Sequence, residues 1–300
     1  MTLNKKEKCL ICNNYNHTVI QTEIREGKND VLRCDKCNFI FLKKYKTIKY
    51  SEDYGSMTLD KSWNIKEQIL SRAKSIEKTV NFISSICNKS KHKNILELGS
   101  GVGASIYALN NLLPKLQIDA VEKNLEHQII LKKEFSKSKI YNCIDDINSK
   151  YDFIFGIQVF EHFENPVEEL KKLKRISHSK THLFFLFPNE DDWYKKTLPI
   201  KSLKNYNQFM YHKAHPYYYT IDTFSKIISK TDFAIKEIST IQDYSISNYF
   251  NWYFKGEPNK NITDATKIHK DIKKLNDEFV KIAENESNGN NISALLKIDN

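Results

Sequence analysis

Nowhere in the 300 residues does an apolar run approach the roughly 20 residues that a membrane-crossing helix requires. The amino terminus, Met1-Thr2-Leu3-Asn4-Lys5-Lys6, lacks the apolar stretch of a secretory signal and runs into charge at once, so a cytoplasmic setting is expected. Internal repeats and low-complexity tracts are also absent, which excludes solenoids and biased tails. A one-signed charged tail is missing too: in the last 46 residues eight Lys face eight acids. The net charge of +10 therefore reads as a compositional habit more than as a nucleic-acid or lipid footprint, although residues 1–50 carry eleven Lys or Arg against five acids. With 40% hydrophobic and 28% charged residues, the chain is expected to fold into one or two domains.

Cysteine is sparse, at six, and four of the six form two pairs, Cys9-Leu10-Ile11-Cys12 and Cys34-Asp35-Lys36-Cys37, separated by 21 residues. In a reducing setting such pairs read as metal ligands or redox thiols before disulfides. One C-x₂-C turn presents two sulfurs to one ion, and two such turns close a tetrahedral Zn²⁺ site over Cys9, Cys12, Cys34 and Cys37. A redox pair normally opens a helix, which neither does, so redox or iron–sulfur use is the alternative. Cys87 and Cys143 stand alone and read as small apolar residues. Short alternating segments, Thr18–Thr22 and Val31–Arg33 with Gly27–Asp30 as the turn signal, predict strands around the metal in a module over residues 1–50.

A linker follows over 51–63, then a long amphipathic helix is expected from Asn64 to Cys87, with Ile65, Ile69, Ala73, Ile76, Val80 and Ile83 on one face. Beyond it, apolar strands alternate with helices: Ile95–Leu98, Ile118–Glu122, Ile140–Ile144, Tyr151–Phe155 and His182–Phe187. That alternation predicts an α/β fold, a doubly wound and mostly parallel sheet with a small N-terminal zinc ribbon, whose ligands bind at the carboxyl ends of the strands. The catalytic domain is expected over 64–240, with an aromatic lid or substrate segment at 189–219, and a partly helical extension over 241–300.

The turn after the first strand, Glu97-Leu98-Gly99-Ser100-Gly101-Val102-Gly103, lets backbone N–H groups approach a ligand closely. Glu122 ends the second strand, where a carboxylate accepts from ribose hydroxyls; NAD and S-adenosylmethionine both fit that far. Glu97 precedes the glycines and suits a ligand ammonium, Asp145-Asp146 follow the third strand, and Gln158-Val159-Phe160-Glu161-His162 with Pro166 follow the fourth.

In this ordered set the chain resembles the class I S-adenosylmethionine-dependent methyltransferases over about residues 64–240. The resemblance implies that Gly99, Ser100 and Gly101 approach the methionine part of the cofactor, that Glu122 binds ribose, that Asp145 or its neighbour Asp146 lies by the adenine, and that Gln158 lines the methionine end. Glu161-His162 either caps the following helix and supports the pocket, or touches the substrate. The four-Cys module followed by this domain is similar to bacterial methyltransferases of deoxysugars and surface-polysaccharide precursors, which implies a nucleotide-activated sugar or glycan precursor as acceptor. In Tyr211-His212-Lys213-Ala214-His215-Pro216-Tyr217-Tyr218-Tyr219, His212 and His215 fall where the sugar C-methyltransferases carry a His-Glu-His base segment, but Ala214 stands in place of Glu, so O-methylation is at least as well supported. An imidazole accepts a hydroxyl proton near neutral pH without special tuning. Two other readings stand beside this one. In the first, a ribbon grips RNA for methylation or binding, carried only thinly by Tyr15, His17 and Lys28; the second is an NAD-dependent enzyme.

Overall fold

The computed structural model describes residues 7–43, 64–259 and 270–299; the linker expected over 51–63 lies outside them. The cysteine module is an antiparallel meander of β1 (His17–Ile24), β2 (Gly27–Cys34) and β3 (Ile40–Leu42). Its hairpin turns at Arg25-Glu26, ahead of the Gly27–Asp30 signal, because Gly27 already pairs with Ile24.

The single helix expected up to Cys87 is two, α1 (Ile65–Ser75) and α2 (Glu77–Ser90). They part at Ile76, whose backbone (φ −105°, ψ 13°) leaves helical geometry. Asn64 and Glu67 form a capping box that fixes the start of α1. Each helix buries its own stripe, Ile69 and Ala73 on α1, Val80, Ile83 and Cys87 on α2.

The parallel part of the main sheet follows the expected rhythm: β4 (Asn94–Leu98), α3 (Ala104–Leu112), β5 (Gln117–Val121), α4 (Leu125–Glu134), β6 (Ile140–Tyr141), β7 (Tyr151–Ile157), α5 (Pro166–Arg175) and β8 (Ser177–Pro188). β6 is shorter than expected because the chain turns into a 3₁₀ turn at Ile144–Asp146. Asn165 caps α5 by accepting from the Glu168 N–H, and Pro166 opens the helix where its missing N–H costs nothing. The segment over 189–219 then forms α6 (Trp193–Thr197), α7 (Ile200–Met210) and a two-residue strand, β9 (Tyr217–Tyr218). α8 (Ile221–Ile228), β10 (Phe233–Ile241), α9 (Ile246–Lys255), α10 (Lys270–Asn285) and β11 (Asn291–Ile298) complete the described chain.

The strand order is β10-β11-β8-β7-β4-β5-β6. β11 lies antiparallel between β8 and β10, while the pairs from β8 to β6 are parallel. The extension beyond residue 240 therefore supplies an interior strand of the sheet as well as helices. Alternation along the strands splits the core: Ile95, Phe153, Phe155 and Phe184 face α2 and α3, whereas Leu96, Leu98, Phe185 and Phe187 face α5 and α8.

The second core does not stop at the domain edge. It runs through Phe160 and Tyr219 into Phe39, Phe41 and the cysteines. β9 pairs antiparallel with β3, Ile40 opposite Tyr218 and Phe41 opposite Tyr217, so a strand of the lid completes the module's sheet. Phe39, fully buried, packs against Tyr217 and Tyr219 at 5.4 and 5.6 Å between ring centroids. Aromatic burial of this kind contributes about 3–5 kcal/mol when judged by truncation, enough to hold the module onto the catalytic domain. Among the described residues no helix is long and apolar enough to cross a membrane.

Candidate active site

The glycine turn joins β4 to α3 at the carboxyl edge of the sheet, and Gly99, Gly101 and Gly103 all take positive φ. Their reasons differ. A Cβ on Gly99 would sit 2.6 Å from Val159 Cγ2, and one on Gly103 would sit 2.3 Å from the Phe135 ring. Gly101 faces open space, with nothing within 4 Å of its virtual Cβ. The first and third glycines thus let elements pack, and the second leaves a cradle.

Beside that cradle lie polar atoms that lack partners. Glu97 Oε2 and Ser100 Oγ are buried without a hydrogen-bond partner among the described residues. Burial pushes the Glu97 carboxyl up to about 7, against the opposing effect of the Ser105 hydroxyl. An orphaned carboxyl oxygen is costly unless a ligand supplies the missing partner, and an ammonium group is the natural one.

Glu122 follows β5 and binds the turn itself: Oε2 accepts from the Gly101 N–H (2.7 Å) and Oε1 from the Asn124 N–H (2.8 Å). Burial raises its pKa, and these backbone donors oppose the rise. Each oxygen keeps a second lone pair for a ligand hydroxyl. The structure separates Asp145 from Asp146. Asp145 is exposed and pairs with Lys172 (3.3 Å) and Arg175 (3.7 Å) of α5, whereas Asp146 turns back to accept from the Cys143 N–H (3.1 Å). The adjacency of the two acids could not reveal this division; the 3₁₀ turn creates it.

Gln158 stands just past β7 at φ +56°, a strained position for a residue with a side chain. Its Nε2 donates to Asn291 Oδ1 (2.9 Å), and Asn291 Nδ2 donates in turn to Asp243 Oδ2 (2.7 Å), so the reversed strand β11 aims it. Gln158 lines a cavity of about 190 Å³ together with Glu161, Glu190, Lys195 and His215 from the catalytic domain and Arg25 from the module. Tyr217, Tyr218 and Tyr244 form its aromatic wall.

Glu161 and His162 lie in a 3₁₀ turn, Phe160–His162, and do not cap the next helix, a task taken by Asn165. Both Glu161 oxygens are buried and lack a hydrogen-bond partner among the described residues. Burial moves the Glu161 carboxyl up to about 8 and the His162 imidazole down to about 4. The His215 imidazole is likewise held well below its ordinary value, by burial first and then by His162, His212 and Arg25. It stays neutral and keeps a lone pair beside the cavity.

The two histidines of the lid are not equivalent. His212 Nδ1 accepts from the Ala214 N–H (2.9 Å), and its Nε2 lies 2.9 Å from Glu26 of the module. Both nitrogens are engaged, so His212 ties the lid to the module and has no nitrogen left for a base role. Glu26 also accepts from the Lys213 N–H, and the Arg25 N–H donates to the Tyr211 carbonyl. Opposite them, Glu190 Oε1 accepts from Lys195 (2.6 Å) and the Tyr211 hydroxyl (2.8 Å).

The four paired cysteines converge, with all four Sγ atoms within 4.8 Å of one another. Cys9 and Cys37 sulfurs lie 3.5 Å apart and Cys12 and Cys34 sulfurs 3.4 Å apart. Those separations are far beyond a disulfide's roughly 2.05 Å and close to the ~3.8 Å edge of a zinc–thiolate tetrahedron built from ~2.3 Å bonds. Burial pushes the Cys9 and Cys37 thiols up, whereas the N–H groups of Cys37 and Lys36 bring the Cys34 thiol down to about 6 against desolvation. The donor set fits a closed structural ion.

Arg25, Glu190, Lys195 and Asn291 escaped the sequence reading. Glu190 had a signal, since it follows a strand at the ligand-binding edge of the sheet. Asn291 had another, the Asn288-Gly289-Asn290 turn ahead of an alternating run. Arg25 had none, because its place in the cavity depends on β3 finding β9.

A family model described as "Methyltransferase domain" matches residues 70–238, more than half of the chain. Among solved structures, the plantazolicin methyltransferase BpumL in complex with SAH is 17% identical and covers 84% of this chain and 93% of its own, with a TM-score of 0.50. An S-adenosylmethionine-dependent methyltransferase from Clostridium acetobutylicum is 14% identical, covers 75% and 92%, and has a TM-score of 0.47. At 17% identity the likeness to BpumL is one of fold. A comparison with curated proteins returns no match.

Proposed function

This chain belongs to the methyltransferase-domain family and is an S-adenosylmethionine-dependent enzyme, and from that premise we propose that its acceptor is a small hydroxylated molecule of the activated-sugar class. The cofactor supplies a methyl group on a sulfonium, whose passage to an acceptor lone pair breaks the C–S bond and leaves a thioether. The chain's part is to hold the two partners in line and exclude water. In this reading the Gly99–Gly101 turn and Ser100 receive the methionine part, Glu97 its ammonium group, Glu122 the ribose hydroxyls and Gln158 the methionine end. Asp146 suits the adenine better than Asp145, which is engaged with α5.

The observation that carries the acceptor reading is the 190 Å³ cavity between Gln158 and the module. It is smaller than the roughly 300–1,000 Å³ of common ligand pockets, room for about one ring of the acceptor. Tyrosine faces suit the apolar face of a sugar ring, Asn189 and Glu190 its hydroxyls, and Arg25 and Lys195 a phosphate of its activated form. Ala214 offers no carboxylate, and its backbone instead bonds His212 and His162, which favours oxygen over carbon as the acceptor atom. In the module, Cys9, Cys12, Cys34 and Cys37 would hold Zn²⁺ as a structural ion. It would act at a distance, by fixing the hairpin that carries Arg25 and Glu26.

Incubation with S-adenosylmethionine and a panel of nucleotide sugars should yield one acceptor with the mass of a single added methyl group. Transfer only to RNA or to a polypeptide would overturn the acceptor class. Cofactor affinity should also depend on pH through Glu97. Its carboxyl binds a proton up to about 7 in the folded chain, and only the ionised form pairs with an ammonium. Affinity is therefore expected to rise with pH through about 7 and to fall once the ligand's amino group loses its proton near ~8. Glu97→Gln should flatten the acid limb, since no carboxyl is left there to titrate; an unchanged profile would remove Glu97 from the ammonium site.

A further inference from the structure

Aligning the two partners leaves one proton without a destination, because an acceptor hydroxyl must lose its own when its oxygen takes the methyl group. Only a group at the cavity can receive it. Glu161 stands there, in the turn Phe160–His162 three residues past Gln158, and lines the same cavity. It is only 2% exposed, and neither of its oxygens finds a hydrogen-bond partner among the described residues. The turn is held from behind: Phe160 is fully buried and packs against Phe185 and Phe224, with ring centroids 5.1 Å from each. A buried carboxyl with every acceptor position unspent is costly to maintain, and it bonds to nothing that would explain it as a structural group.

The groups nearest to it are His162 of the same turn, His215 of the loop before β9 and Tyr219 just after β9. Across the cavity stand Arg25, Lys195 and Glu190; Glu190 is already engaged, by Lys195 at 2.6 Å and the Tyr211 hydroxyl at 2.8 Å. Charge decides which group takes the proton. Methyl transfer starts from a positive sulfonium and a neutral hydroxyl, so one positive charge must be placed somewhere. On an imidazole it becomes a buried cation, and His215 resists that charge through burial and through His162, His212 and Arg25. On a carboxylate the two opposite charges cancel and every product is neutral. A site that excludes water favours the second course, because a neutral carboxyl is far cheaper to bury than an imidazolium.

We propose that Glu161 is the general base of the transfer and takes the acceptor's hydroxyl proton in the cavity, a role that rests on the hydroxylated acceptor of the reading above. The acceptor O–H bond breaks as its proton passes to a Glu161 oxygen. The electron pair left on the acceptor oxygen forms the new C–O bond, and the pair of the broken C–S bond stays on sulfur. Burial, which raises the Glu161 carboxyl to about 8, makes its ionised form a stronger base than an ordinary carboxylate. Only that ionised form can act, so turnover rises with pH and levels off by about 8. A sulfonium bound nearby can only move this limb to lower pH, since a positive neighbour favours the carboxylate.

The test uses the full chain at saturating S-adenosylmethionine, so that cofactor affinity does not enter, with the nucleotide sugar methylated best in the panel. Glu161→Gln should lower kcat by about 100-fold or more, within the roughly 10²–10⁴-fold of general-base catalysis, and erase the rise with pH. Its S-adenosylmethionine affinity in calorimetry should stay within about twofold. Glu161→Asp should restore part of the rate together with the rise, and His215→Gln should keep the rise whatever its effect on the rate. A second readout needs no acceptor. In a chain labelled with carboxyl-¹³C glutamate, one resonance should titrate near 8 and be missing from Glu161→Gln. Thermal melting no lower than that of the wild type would show that the variant folds. A folded Glu161→Gln chain that keeps the rise or turns over at the wild-type kcat would overturn the proposal, as would a Glu161 resonance in the ordinary carboxylate range. Methylation of an RNA or polypeptide hydroxyl in place of sugars, with the rise lost in Glu161→Gln, would keep the base and sink the acceptor reading. Transfer to no hydroxyl at all would overturn both.

Discussion

Replacing Cys34 by Ala should reduce methyl transfer by about a hundredfold or more while leaving S-adenosylmethionine affinity within about twofold. Cys34 ends β2 and is fully buried at the cysteine cluster, so its loss removes one of four thiolates and leaves the hairpin without a closed ion site. Loss of a structural metal belongs among the most damaging single changes, on the order of 4 kcal/mol. The damage travels by a definite path. β3 pairs with β9, Glu26 holds His212 and the Lys213 N–H, and Arg25 enters the cavity from the same hairpin. A shift of about 1 Å at the acceptor would cost on the order of 100-fold in rate. Glu97 sits on β4, and the glycine turn and Glu122 follow β4 and β5, strands outside the module's sheet. Elemental analysis and turnover of the variant decide the matter: retained zinc with full turnover would refute the path. Simultaneous loss of cofactor binding would show that module and sheet unfold as one unit.

Glu122→Ala is the second large effect, and it falls on the other half of the site. The carboxylate accepts from two backbone N–H groups, and hydrogen bonds to a charged acceptor contribute about 1.5–3 kcal/mol each. Its removal both frees the Gly101 N–H from its partner and deletes the acceptors proposed for ribose. A loss near 2.7 kcal/mol corresponds to about a hundredfold weaker cofactor binding. The sheet beneath is held by Leu98, Val121 and their neighbours, so melting should change far less than affinity. Equal affinity in the variant would detach Glu122 from the cofactor.

What the sequence discloses and what it conceals divide along a physical line. The apolar runs of β4, β5, β7 and β8, the glycine turn and the C-x₂-C knuckles are local patterns, and each is dictated by a local requirement. Strand partners are not local. Tyr217-Tyr218 is too short for any periodicity to mark it as a strand, and its pairing with Ile40-Phe41 spans more than 170 positions. That pairing makes the module a wall of the cavity instead of an appendage. β11 carried an alternating signal, but its insertion between β8 and β10 and its hold on Gln158 through Asn291 emerge only in three dimensions. The acids and histidines show the same limit. Asp145 and Asp146 are adjacent in sequence yet face different partners, and His212 has both nitrogens engaged while His215 faces the cavity.

The most direct measurement is a calorimetric titration of the full chain with S-adenosylmethionine and, separately, with NAD. Saturable binding of one S-adenosylmethionine per chain is expected, displaced by S-adenosylhomocysteine and with no heat from NAD. Binding of NAD in its place, or a chain silent to S-adenosylmethionine, would contradict the assignment of the Gly99–Gly103 turn and Glu122 as a methyl-donor site.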